Sequence, residues 1–228
     1  MHEYTGETAL NAFQDFFASL DTTAMLRAAI RLVAVLLCLT VHETCHGLTA
    51  YALGDPTAKS QHRLSLNPLH HIDWFGLAAM LTLGFGWAKP VPVDMRYFKK
   101  PKQGMALTAL AGPVSNFVLA LLALLCARLV YHQYGALWDF IFDLLLTTAY
   151  LSVGLGLFNL IPISPLDGSK VLFAFLPDSA YEKLMRYEKY GMIALLILVW
   201  LGVGDNVLST AIYNVYAAMI NFVFRGIV

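Results

Sequence analysis

Two histidines four residues apart with a glutamate between them, His42–Glu43–Thr44–Cys45–His46, are the residues of this chain best spaced to do chemistry. On a helix, positions i and i+4 share a face, so both imidazoles can reach one cation. Glu43 is then placed to polarise a water and carry its proton. The stretch before them, Val33 to Val41, is almost wholly apolar. Polar groups in such a setting are costly and point to a task, although paired histidines can also serve only as hydrogen-bond partners of neighbouring helices. A hydrolytic zinc centre needs a third protein ligand and an open position. The pattern HExxHxxGxxH does not supply it, because Thr49 and Ala52 stand where its glycine and last histidine belong. Cys45 has no CxxC partner.

Asp167 is the candidate third ligand. It lies in Asn159–Leu–Ile–Pro162–Ile–Ser–Pro165–Leu–Asp167–Gly168, after two prolines that interrupt regular helix. Backbone groups freed in an apolar setting are tolerable only beside protein or a water-filled cavity, where a hydrolytic site belongs. Taken alone, an aspartate before glycine is more often an ordinary turn.

The elements that must position these residues follow from composition. Of 228 residues, 58% are hydrophobic and only 13% charged, which needs a solvent other than water. Apolar stretches at about 26–50, 105–131, 140–163, 190–204 and 206–224 approach the roughly 20 residues that cross a bilayer. The chain reads as an all-α polytopic membrane protein, a helical bundle of about five to six transmembrane segments. The last two stretches read as a hairpin about Gly204–Asp205–Asn206. Residues 1–25 form an amphipathic N-terminal segment, with Leu10, Phe13, Phe17 and Leu20 on one side, and lack the positive start of a cleavable signal. Residues 26–228 read as one membrane domain. Cys38, Cys45 and Cys126 sit in apolar spans and read as reduced thiols. No basic stripe with interleaved aromatics speaks for nucleic acid.

Sidedness tests the pairing of the histidines with Asp167. His42 and His46 lie in the second half of their span, and Asp167 follows the end of 140–163, so both ends must face one side. The span 105–131 is antiparallel to 140–163, which puts residue 104 there as well. Between residues 50 and 104 the chain must cross an even number of times. The short apolar stretch 74–87 is therefore expected to be a re-entrant segment or hairpin. Basic loops at 96–102 and 170–189 mark that side as cytoplasmic. Arg27 and Arg31 fall on the opposite side and are expected to snorkel.

With these residues placed, the chain resembles the site-2 protease family of intramembrane zinc metalloproteases, in its compact bacterial and archaeal branch without a PDZ domain. HETCHG at 42–47, AGPVSN at 111–116, NLIPISPLDG at 159–168 and GWAKPVPV at 86–93 carry the resemblance. It implies three core helices, one Zn2+ per chain held by His42, His46 and Asp167, and Glu43 as general base. Asn159 would stabilise an oxyanion or orient substrate, or else form an interhelical hydrogen bond; Asn116 reads as structural. The resemblance further implies cleavage of transmembrane protein substrates, in regulated intramembrane proteolysis or clearance of remnant peptides. The protein would be a multi-pass integral protein of the cell (inner) membrane, its active site near the cytoplasmic leaflet and membrane lipid around it. A regulatory membrane partner or a homo-oligomer stays open. The substrate helix would enter laterally and unwind, with 74–87 offering an edge strand. Rival readings are a metal transporter, which usually shows a repeat that this chain lacks, and an inactive relative that binds membrane segments.

Overall fold

The computed structural model describes residues 21–76, 79 and 88–226. Among these the chain is helical, with no strand beyond an antiparallel bridge between Ile72 and Ala88. In chain order the helices are α1 (Thr22–Ala52), the short α2 (Thr57–Ser60), α3 (Pro101–Val130), α4 (Ala136–Asn159), α5 (Asp167–Phe173), α6 (Asp178–Trp200) and α7 (Asp205–Val223). Asp21 caps α1 by accepting from the backbone N–H groups of Thr23 and Ala24, both at 3.0 Å. Pro101 opens α3 at the position where proline's missing N–H costs nothing.

Among the described residues three helices, α1, α3 and α4, are long and apolar enough to cross a membrane, and the protein is a membrane protein. The all-helical membrane architecture is as expected, while the described residues do not confirm a count of five to six spans. Helices α6 and α7 qualify only as a bent pair, which raises the total to four if they are one span. Nor do they form the expected antiparallel hairpin: Tyr190–Trp200 and Asp205–Val223 meet at 86°. The apolar part of α6 is too short to cross alone, since about 20 residues are needed. The polar stretch before it, read as a basic loop, is the first half of the same helix. The readings made for residues 7–20 and for most of 74–87 lie outside the described residues. The ends of the latter segment nevertheless meet, through the Ile72–Ala88 bridge and the Lys89 N–H donating to the His71 carbonyl at 2.9 Å.

The bundle is built on small residues at four-residue spacing. One face of α1 buries Ile30, Ala34, Cys38, His42, His46 and Ala50. Facing it, α3 buries Gly104, Thr108, Gly112, Asn116, Ala120 and Leu124, and α4 buries Thr148, Ser152 and Gly156. Without a hydrophobic gain between helices in lipid, close backbone approach and packing hold such helices together. His46 meets Thr108 while His42 meets Asn116, so α1 and α3 run antiparallel. Cys38 lies against the Thr148 carbonyl, which brings α4 beside them. At the far end of α3, Ala120, Ala123, Leu124 and Ala127 pack with Ala149, Val153, Val223 and Phe224 into the apolar core.

The loops at the other end are tied together. Asp55, just past α1, is fully buried; it accepts from the Thr57 N–H at 2.9 Å and the Asp94 N–H at 2.7 Å. Lys102 donates to the Leu176 carbonyl at 2.6 Å and pairs with Asp178. The exit of α1, the start of α3 and the start of α6 therefore share one end of the bundle, as the parity of the spans requires. Asp55→Ala orphans these donors and should cost about 1.5–3 kcal/mol of stability, seen as a lowered unfolding temperature in detergent. An unchanged transition would show that the tie carries no load.

Candidate metal centre

The four-residue stripe of α1 that packs the bundle is also what aims the two imidazoles. Where the stripe reaches His42 and His46, α3 presents Gly112. A Cβ added there would come within 2.5 Å of His46 Cε1 and Nε2 and 2.6 Å of His42 Cε1. Glycine is the residue that leaves room for both rings between the helices. Asp167 arrives from the opposite direction, as the first residue of α5, after a turn containing a cis Ser164–Pro165 bond. Gly168 lets that turn close, because any Cβ would run into the Leu160 carbonyl.

Three ligand atoms converge. His42 Nε2 lies 2.9 Å from His46 Nε2 and 3.1 Å from Asp167 Oδ2, and His46 Nε2 lies 3.2 Å from that same oxygen. A tetrahedral zinc with bonds of about 2.0–2.1 Å places its ligand atoms roughly 3.3 Å apart. The triangle has nearly those edges and the borderline-soft N2O donor set that zinc accepts, so the residues fit the ion. All three side chains are buried.

The surroundings orient these groups. His46 Nδ1–H donates to the Thr108 carbonyl at 2.7 Å, which leaves Nε2 facing the triangle. Asn116, read as structural, contacts His42 Nδ1 through its amide nitrogen at 3.0 Å. Glu43 opens onto a cleft of about 370 Å³ shared with the three ligand residues, Asn159 and Lys170. Its Oε2 accepts from the backbone N–H of Val91 at 2.9 Å. The segment Pro90–Val93 forms the facing wall, and Met185 of α6 closes one edge. That wall is anchored by the buried Arg63, whose Nη2 donates to the carbonyls of Lys89 at 2.8 Å and Pro90 at 3.3 Å.

The residues singled out from sequence are thus brought to one cleft: His42, Glu43, His46, Asn159 and Asp167. Asn159 makes no interhelical hydrogen bond among the described residues. Its amide donates instead to the Leu155 carbonyl of its own helix, at 3.0 Å. Sequence reasoning missed Thr108 and Val91, which act through a backbone carbonyl and an N–H that carry no residue signature, and Arg63, whose guanidinium meets only backbone carbonyls. For Thr108 and Asn116 a trace exists, in their spacing of four about Gly112.

The profile of Peptidase family M50 matches residues 128–202. The chain is 40% identical over 181 residues to "Putative zinc metalloprotease YwhC" of Bacillus subtilis, covering 77% of this chain and 82% of that one. It is 28% identical over 170 residues to "Putative zinc metalloprotease Rip2" of Mycolicibacterium smegmatis, covering 72% and 64% respectively. It is also 33% identical over 78 residues to "Zinc metalloprotease MJ0392" of Methanocaldococcus jannaschii, 34% of this chain and 22% of that one. No solved structure matches it significantly. Helical membrane architecture and a buried N2O cluster define a membrane metalloprotease. The chain belongs to peptidase family M50, the site-2 protease family.

Gly112→Ala should push α3 from α1 at a cost of about 1–3 kcal/mol. Zinc bound per chain should fall with it, measured by elemental analysis after dialysis. Full zinc content in a folded Gly112→Ala protein would contradict the packing account.

Proposed function

We propose that this chain is an intramembrane zinc endopeptidase that hydrolyses peptide bonds in or near transmembrane segments of membrane-protein substrates. The observation that carries the reading is the triangle of His42, His46 and Asp167 sharing a cleft with Glu43. When held by those three residues, zinc supplies Lewis acidity toward the scissile carbonyl and lowers the pKa of a water. Glu43 takes the proton from the attacking water and returns it to the leaving amine. The Val91 N–H holds one of its oxygens, Oε2, and leaves Oε1 for the proton. Asn159 lines the same cleft and is the amide offered to the developing oxyanion, once it exchanges its bond to Leu155 for the substrate.

A substrate helix hides its carbonyls and amides in its own hydrogen bonds, so it must unwind to be cut. We place its entry between helices from the bilayer. The basic residues gathered at the end of the bundle that bears the cleft favour the cytoplasmic leaflet of the cell (inner) membrane. Regulated release of membrane-tethered proteins and trimming of remnant peptides are both served by this chemistry.

Glu43→Gln in liposomes with a tagged transmembrane substrate should lower the cleavage rate by about 10²–10⁴-fold while zinc stays bound. Retention of zinc-dependent cleavage by that variant would sink the assignment. Val91→Pro removes the N–H that holds Glu43 and should lower kcat about tenfold, whereas Val91→Ala keeps the amide and should stay near wild type. Equal loss in both variants would assign the effect to the side chain instead.

A further inference from the structure

The amide of Asn116 is fully buried between the bundle helices and has one hydrogen-bonding neighbour, His42. Its Nδ2 lies 3.0 Å from His42 Nδ1, while its Oδ1 has no hydrogen-bond partner among the described residues. Its backbone is pinned separately, by Ser152 Oγ donating to the Asn116 carbonyl at 2.9 Å. The side-chain amide is therefore not needed to hold the helix pair together at this point. Rotation by about 180° exchanges the amide's nitrogen and oxygen. In either orientation one of the two atoms is unpaired, so the contact with His42 decides between them.

A neutral imidazole that offers the Nε2 lone pair to a cation carries its proton on Nδ1. Against such a ring an Asn116 N–H would set donor against donor. With Nδ2 facing, His42 Nδ1 must accept, and Nε2 carries the proton toward Asp167 Oδ2 at 3.1 Å or His46 Nε2 at 2.9 Å. That tautomer binds no cation through Nε2. His46 has no such choice, since Nδ1 faces the fixed carbonyl of Thr108 at 2.7 Å.

We propose that Asn116 is a positioning residue whose amide oxygen accepts from His42 Nδ1–H, and so holds the His42 tautomer with Nε2 open to zinc. His46 is held permanently in its ligating form by backbone. His42 is held instead by the side-chain amide of Asn116. The inference rests on the reading of His42, His46 and Asp167 as zinc ligands.

The test measures zinc affinity of the full-length protein in detergent micelles by competition with a chromophoric chelator. Asn116→Leu removes the acceptor and should weaken zinc binding about 10–100-fold, the usual effect of losing a group that orients a ligating histidine. Asn116→Asp keeps an acceptor of the same shape and should remain within about threefold of wild type. Equal weakening in both variants, or in neither, overturns the inference. Nitrogen-15 NMR of ring-labelled wild type gives a reading independent of any variant. With zinc bound, His42 Nδ1 should be protonated; an unprotonated Nδ1 overturns the role of Asn116. Wild-type protein that binds no zinc, or binds it equally after His42→Ala, removes the zinc-ligand reading itself.

Discussion

The distance between α1 and α3 is the constraint on which the rest of the molecule depends. The imidazole pair faces Gly112, where α3 has neither a side chain nor room for one. That closeness lets the Thr108 carbonyl and the Asn116 amide reach the outer edges of the rings. A wider gap would strip both histidines of their orienting partners at once. In lipid the gap is set by the size of interfacial residues, because no hydrophobic gain draws the helices together. The packing pattern of the bundle and the geometry of the centre are thus the same fact.

The third corner of the triangle is fixed by different means. Asp167 belongs to a turn clamped from within by the contact of Gly168 with the Leu160 carbonyl, and from outside by Gly191 of α6 lying against Ser164. Two rigid sources, a helix face and a clamped turn, therefore meet at the triangle. Such preorganisation is what a site needs to hold its atoms within about half an ångström of working geometry.

What the sequence disclosed and what it withheld divide along physical lines. The i, i+4 histidines declare a helix face by local periodicity, and the prolines around Asp167 declare a break. Counting crossings then joined the two without any contact being known. Periodicity cannot say how two short apolar helices meet, because Gly202 and Gly204, with φ of 66° and 88°, permit a right-angled elbow as readily as a hairpin. Nor does charge separate a basic loop from the exposed face of a helix, and so the first half of α6 was misread. Asn116 lies 74 positions from His42, and its partnership arises from antiparallel packing that no local pattern spells out.

Arg63 gives the molecule a boundary between parts that must not change and parts that can. Its guanidinium joins residue 63 directly to the carbonyls of Lys89 and Pro90, just before the amide that steadies Glu43. The Ile72–Ala88 bridge closes the same loop a second time. Whatever lies between these clasps is tethered at its base. Lengthening a closed loop is cheap, with each doubling costing only about 0.6 kcal/mol. Changes in the chain between residues 72 and 88 therefore leave the Glu43 carboxylate where it is. The clasp separates the stretch that can vary from the stretch that holds Glu43.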